Sequence, residues 1–166
     1  MRLVLALLAT IALAGPAAAL ADPAVYTGTL TGKGVGKAKG FPRQKQKILV
    51  PDVVLTLHSG TEHFDFAVGA NALGGPMTAV KKGAFKIVQP TGAELTALIA
   101  GTQGFFNDNL NLPVTVADVK VTGRHRPKAD GSKDRTNMIL RVTGTALGVV
   151  PFQARATLKY VGTPSM

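Results

Sequence analysis

The sequence predicts an all-β fold, an antiparallel β-barrel or β-sandwich of about seven to nine strands with one short α-helix. Three observations lead to this prediction: segments in which apolar and polar residues alternate, glycine or proline between those segments, and a single segment with helical periodicity. Side chains alternate between the two faces of a strand, so each alternating segment indicates a strand with one buried and one exposed face.

The clearest alternation extends from Thr136 to Tyr160 and indicates a pair of strands. We predict that Leu140 faces Leu158 in the core, whereas Arg155 and Lys159 face solvent. A register shifted by one residue would place the apolar side chains of one strand beside the cations of the other, so burial excludes it.

A second strand pair is predicted from Gln46 to Val68, around a two-residue turn at Ser59-Gly60. Its buried face would hold Val53, Leu55, Leu57, Phe64 and Phe66. The opposite face gathers His58, His63 and Asp65. Imidazole and carboxylate groups ligate zinc and other divalent ions, so these three residues are candidate metal ligands. The alternative is a polar outer face on which Asp65 pairs with His63.

One helix is predicted over about residues 92–100. Thr91 and Glu94 have the spacing of a capping box at its start, and Gly101 is predicted to end it. The apolar stripe consists of Leu95, Leu98 and Ile99. A helix of two to three turns is not stable alone, so it must pack on the sheet or plug an opening.

Two further segments contain candidate ligand-binding residues. A strand is predicted from Val114 to Thr122, with a bulge near Ala117, because the apolar phase shifts there. The polar segment 123–133 is predicted to be a loop whose cations grip phosphate or carboxylate. These candidate ligands are Arg124, Arg126 and Lys128. The alternative is a basic loop that is simply solvated.

Phe105 and Phe106 precede a polar run and are candidate contacts to a ligand or a membrane. The alternative is a satellite hydrophobic cluster beneath a loop. The glycine-rich segment Gly32–Gly40 lacks the spacing of a phosphate-binding P-loop. We predict a solvated connection between strands there, with a backbone anion site as the alternative.

Residues 1–21 have the pattern of a secretory signal peptide: Arg2, an apolar run from Leu3 to Ala14, and small residues before Asp22. The apolar run is shorter than the roughly 20 residues of a membrane-spanning helix. We therefore expect an exported protein, periplasmic or extracellular, in which residues 22–166 form a single antiparallel β domain. The chain contains no cysteine, which excludes disulfides, thiolate metal sites and an N-terminal lipid anchor on cysteine.

Lysine and arginine number 19 against 9 acidic residues, a formal net charge of +10. Such a balance favours anionic envelope partners, namely lipid, lipopolysaccharide or acidic glycan. Export and the scarcity of aromatic residues argue against nucleic acid. No Gly-x-Ser-x-Gly motif is present and carboxylates are few, so we expect a binding protein with no catalytic residues and no cofactor, rather than an enzyme.

The predicted inward residues of the last strand pair are small: Gly144, Ala146, Ala154 and Ala156. In a barrel such residues leave a cavity, so we expect a soluble envelope protein that holds an apolar or amphiphilic anionic ligand in the barrel interior. The predicted cationic loop would lie near the opening. Two alternatives stay open: a structural or interaction module that docks on anionic envelope polymers, and a small outer-membrane barrel whose lumen the cations would line.

Overall fold

The computed structural model describes residues 23–58, 62–110 and 113–165. They form a closed barrel of eight antiparallel strands, in which each strand pairs with the next and β8 closes on β1. The strands are β1 (Ala24–Ala38), β2 (Gln44–His58), β3 (His63–Val68), β4 (Asn71–Val80), β5 (Ala84–Ile87), β6 (Val114–Pro127), β7 (Asp134–Ala146) and β8 (Val150–Pro164). A 3-10 turn, Lys81–Gly83, joins β4 to β5, and the helix α1 (Gly92–Leu110) joins β5 to β6. The all-β prediction is confirmed in its barrel form, and the predicted signal peptide lies outside the described residues.

Most of the barrel interior is apolar, and the predicted faces of the last strand pair are confirmed. Leu140 and Leu158 are 0% and 1% exposed, whereas Arg155 and Lys159 are exposed on the outer face. Large side chains fill much of the interior: Tyr26, Phe64, Phe66, Leu73, Ile87, Met138 and Tyr160. The wall of the barrel therefore separates a dry inner face from a charged outer face.

The pairing register of β7 and β8 differs by two residues from the prediction. Leu140 lies opposite Ala156 rather than Leu158, because the turn that joins the strands is only three residues long. A shift of two residues keeps every side chain on its face, so hydrophobic alternation alone does not detect it. On the outer face the shift places Arg141 directly opposite Arg155.

The β2–β3 pair shows the same kind of difference. His58 pairs with His63, and Thr56 pairs with Asp65, two residues away from the predicted register. The five predicted core residues of this pair are all buried. The predicted turn at Ser59-Gly60 lies outside the described residues.

Two of the long strands contain a bulge, which changes the face toward which the side chains beyond it point. The one predicted near Ala117 is confirmed, since the β6–β7 register shifts between Val116 and Asp118. The other lies in β2 beside Asp52, which has a φ of 55°. It reverses the phase of β2, so Leu49 points outward and is 71% exposed. This second bulge was not predicted from the sequence.

The helix α1 is 19 residues long and continues past Gly101, which was predicted to end it. Gly101 lies where the helix crosses the start of β4, and a Cβ there would overlap the carbonyl oxygen of Ala72. Gly104, about one turn later, approaches the side chain of Asn71 in the same way. These glycines therefore serve close packing, and the prediction mistook a packing glycine for a C-terminal one.

Amide side chains complete the hydrogen bonding of β6 where β5 is too short to pair with it. The bonds run from Val114 N to Asn107 Oδ1 (3.0 Å), from Val116 N to Gln103 Oε1 (3.1 Å), from Val121 N to Gln89 Oε1 (2.8 Å) and from Gln89 Nε2 to Val119 O (2.9 Å). Unpaired backbone groups at a buried edge would be costly, so α1 and the segment before it cover this edge. Within the residues that the structure describes, no helix has both the length and the hydrophobicity to cross a membrane.

Candidate functional site

An apolar pocket of about 260 Å³ lies at one end of the barrel, and we call it the end pocket. Its walls are the inward faces of β1, β2, β7 and β8 and one side of α1. Small residues leave the space open: Gly34, Gly36, Ala154 and Ala156. A Cβ built on Gly36 would have no atom within 4 Å. Phe105 and Phe106 close the helix side and are 2% and 7% exposed.

The glycine-rich segment that forms part of this pocket is strand, so its prediction as a connection was wrong. β1 continues to Ala38, and its pairing with β8 is unbroken as far as Phe152. Glycine occupies successive inward positions there, while lysine and valine occupy the outward ones. This part of β1 is thus a strand whose inward positions carry no side chains, and the space that side chains would fill stays open to a ligand.

The outer face of β6, β7, β8 and β1 forms a second concavity of about 1210 Å³, which we call the basic groove. Its cations are Lys33, Lys37, Arg43, Lys120, Arg141 and Arg155. Asp118 is the only acidic residue that lines it within the described chain. The groove therefore presents a strongly positive surface to solvent.

Three cations of the basic groove stand in a row across adjacent strands. Lys120 lies opposite Arg141, which lies opposite Arg155. Like charges in direct cross-strand positions repel, since their Cβ atoms are only about 5 Å apart. In the described part of the chain every close acid–base pair involves a histidine, so no carboxylate lies within ion-pair distance of this row. A bound anion would relieve the repulsion.

The end pocket and the basic groove share part of one wall. Val35, Gly36, Lys37 and Ala154 line both of them. Gly36 and Ala154 are cross-strand partners, so this shared wall is a single strand pair. The unbroken β1–β8 pairing separates the two concavities, so a molecule in the end pocket reaches the groove only around the barrel end, where Lys37 lines both.

The structure does not bring the two predicted groups of ligand-binding residues together. Phe105 and Phe106 lie at the end pocket, beside the start of β6. The segment predicted to be a loop begins as strand, because β6 continues to Pro127. Arg124 and Arg126 are therefore exposed on the wall, and Lys128 follows just after it. Ten residues of strand, about 33 Å, separate Val114 at the pocket from this basic group.

The barrel end near that basic group is closed by side chains and by the β6–β7 loop. Tyr26 Oη donates to the carbonyl oxygen of Gly131 in the loop (3.4 Å). Tyr160 Oη donates to the carbonyl oxygen of Tyr26 (3.1 Å). Among the described residues, these contacts cover the barrel end at which an opening was predicted, beside the predicted cationic loop.

A polar network that the sequence analysis missed is buried at this closed end. His125 Nδ1 lies 2.8 Å from Thr136 Oγ1, and His125 Nε2 lies 2.9 Å from Asp134 Oδ2. Thr136 Oγ1 donates to Asp134 Oδ1 at 3.0 Å. All three side chains are at most 2% exposed, so a substrate has no path to the hydroxyl and the network is structural. The inward phase of β7 extends to Asp134, and this alternation was the available signal.

Burial raises the pKa of Tyr160, and the nearby Asp134 carboxylate raises it further. The same two causes, burial first, raise the pKa of Tyr26. The unfolded chain therefore ionises its tyrosines at a lower pH than the folded barrel does. The stabilisation is present below pH about 10 and is lost as the pH rises above that value.

Replacing Tyr160 by Phe should flatten the alkaline loss of stability. Above pH about 10, each tyrosine that stays protonated only in the folded state lowers the free energy of unfolding by up to about 1.4 kcal/mol per pH unit. Urea unfolding of the wild type and of Tyr160→Phe between about pH 9 and 11.5 measures the difference. If the free energy of unfolding fell equally with pH in the two proteins, the Tyr160 hydroxyl would titrate alike in the folded and unfolded states, which would contradict this prediction.

The predicted metal ligands do lie together on the outer face, as a cluster of imidazole–carboxylate contacts. Asp65 Oδ2 is 3.3 Å from His58 Nε2 and 3.6 Å from His63 Nδ1. His63 Nε2 is 3.3 Å from Glu94 Oε1 of α1, an acid that the sequence analysis did not include. Among the described residues, no group of three or more potential ligands has an arrangement suited to a metal ion. The metal site stays a prediction, which metal analysis of the purified protein would test.

The fold and its concavities define an eight-stranded antiparallel barrel with an apolar pocket at one end and a basic groove along its wall. The chain matches no protein-family model, and no curated protein is similar to it.

Proposed function

We propose that this protein is an exported envelope protein that binds an amphiphilic anion. The apolar part of the ligand occupies the end pocket, and its anionic group lies against Lys37 at the wall shared with the basic groove. The observation that carries the proposal is that Lys37, at the barrel end, lines both the apolar end pocket and the cationic basic groove.

The dimensions of the two concavities support an aliphatic ligand. Pockets for drug-sized molecules enclose about 300–1,000 Å³, and the end pocket is slightly smaller than that range. It therefore suits a single short chain better than a rigid multi-ring ligand. The basic groove is much larger and accommodates a headgroup with more than one charge.

The charge on the barrel wall favours this proposal over an outer-membrane barrel. Such barrels carry an apolar band on the outside and polar residues inside. Here the outer positions of β7 and β8 include Arg141, Arg155 and Lys159, whereas their inner positions, apart from Asp134 and Thr136, are apolar or glycine. Docking on an anionic polymer is the second candidate, because the row of three cations crosses strands far beyond the pocket.

Calorimetric titration with alkyl phosphates below their micelle concentrations tests the proposal. If the chain enters the pocket, affinity should rise roughly fourfold for each methylene from hexyl to octyl phosphate, and inorganic phosphate should bind more weakly than either. Gly36→Leu places a side chain in the pocket and should abolish this dependence on chain length. Thr122→Leu, an exposed outward position on β6, is the matched control and should bind like the wild type.

A second variant separates the headgroup from the chain. Lys37→Gln should weaken octyl phosphate binding while the gain per methylene stays unchanged. Equal affinities of the wild type for inorganic phosphate, hexyl phosphate and octyl phosphate would contradict the proposal. That outcome would favour the anionic polymer as the partner.

A further inference from the structure

Two chain connections surround the opening of the end pocket. The β1–β2 loop is held at this end because Lys39 N donates to the carbonyl oxygen of Pro151 in β8 (3.1 Å). The β7–β8 turn is held beside it, since Leu147 N donates to the carbonyl oxygen of Pro113 (3.0 Å). Both connections are therefore fixed parts of the same barrel end.

These two connections expose large apolar side chains. Phe41 of the β1–β2 loop is 54% exposed, and Leu147 and Val149 of the β7–β8 turn are 54% and 79% exposed. Phe41 and Leu147 also line the end pocket. Single exposed apolar residues are ordinary on a soluble protein, but three on adjacent tips around a pocket form a patch that indicates an interaction surface.

Cations flank this apolar patch on its β1–β2 side. The segment from Lys33 to Lys47, which holds the β1–β2 loop, contains six basic residues and no acidic residue. They are Lys33, Lys37, Lys39, Arg43, Lys45 and Lys47, and all six are exposed. Exposed apolar side chains next to cations are typical of proteins that bind the surface of an anionic bilayer. The apolar side chains enter the boundary of the acyl region, while the cations contact the headgroups.

We infer that this end of the barrel docks on an anionic lipid bilayer and inserts Phe41, Leu147 and Val149 into its interface. An anionic polymer would satisfy the cations but would offer no apolar phase to the three tips, so the patch favours a bilayer. Docking in this orientation directs the opening of the end pocket at the membrane. An amphiphile would then pass between bilayer and pocket without crossing water. The docking surface itself does not require an occupied pocket.

Flotation of the full-length mature protein with lipid vesicles tests the inference. The wild type should float with vesicles that contain phosphatidylglycerol and should stay behind with pure phosphatidylcholine. The triple variant Phe41→Ser, Leu147→Ser, Val149→Ser should bind the anionic vesicles about tenfold more weakly or worse, because the apolar area that enters the interface is lost. The matched control is Leu49→Ser, which removes a more exposed leucine from the barrel wall and should bind like the wild type.

Two variants that remove positive charge from opposite ends of the barrel test which end faces the bilayer. Lys39→Gln with Lys45→Gln should weaken binding and reduce its salt dependence. Arg124→Gln with Arg135→Gln removes the same charge from exposed positions at the opposite end and should have little effect. All substituted side chains are exposed, and thermal melting verifies that each variant is folded.

Several results would overturn the inference. One is that the triple variant binds anionic vesicles as tightly as the wild type does. Another is that Leu49→Ser loses as much affinity as the triple variant. A third is that the charge variants at the two ends of the barrel are weakened equally. The filled-pocket variant Gly36→Leu keeps failure of docking distinct from failure of the proposed function. It should still float with anionic vesicles, although it should no longer discriminate between alkyl phosphates.

Discussion

Leu140→Asp should lower the free energy of unfolding by more than about 4 kcal/mol. Leu140 is 0% exposed and points into an interior whose neighbouring wall positions are apolar, so the new carboxylate would have no partner there. Urea unfolding at neutral pH measures the change, and failure to accumulate folded protein would also agree with the prediction.

The adjacent residue provides the control. Arg141 faces solvent and lies between Lys120 and Arg155, so Arg141→Asp replaces two repulsive neighbours by attractive ones. Its free energy of unfolding should stay within about 0.5 kcal/mol of the wild type or increase slightly. If Leu140→Asp and Arg141→Asp lowered the free energy of unfolding equally, the assignment of the inner and outer faces would be wrong.

Asp134→Ala should destabilise the barrel by roughly 1–3 kcal/mol, because it leaves buried polar groups of His125 and Thr136 without their neighbour. His125 Nε2 would lose the carboxylate that lies 2.9 Å away, and Thr136 would lose its acceptor. Chemical unfolding of Asp134→Ala, of His125→Leu and of the double variant gives the coupling between the two side chains.

We expect the double variant to be less destabilised than the sum of its two single variants. Arg135→Ala, which changes the next residue on the exposed face, should alter stability by no more than about 0.5 kcal/mol. A loss below about 1 kcal/mol for Asp134→Ala would show that the pair contributes little, and it would contradict this account of the closed end.

The alternation of β7 and β8 was sufficient to predict which side chains are buried, because only one face of a barrel wall is dry. It was not sufficient to predict register, because a shift of two residues leaves Leu140 buried and Arg155 exposed. That shift depends on turn length, and here a three-residue turn determines the cationic row of the basic groove.

Polar or glycine-rich strands were harder to predict than apolar ones. The end of β6 contains His125, whose buried partners lie on another strand, so its local composition is that of a loop. The end of β1 alternates glycine with lysine and valine, which resembles a solvated connection until its pairing with β8 is known. Gly101 is comparable, because its tight contact with Ala72 depends on tertiary packing.

The end pocket could not be predicted as a unit because its walls are far apart in sequence. Gly36 and Ala154 meet only because β8 closes the barrel on β1, and Phe105 reaches them only because α1 extends past Gly101. The small residues of β8 were a usable signal for interior space. The basic residue that lines that space in the described chain is Lys37 on β1, rather than a residue of the predicted cationic loop.

Native mass spectrometry of the protein purified from its own cells tests the central claim most directly. The wild type should retain an added mass that fragments as an amphiphilic anion, and Gly36→Leu purified in the same way should lack it. An adduct-free wild type, or the same adduct on both proteins, would contradict the claim that the end pocket holds such a ligand.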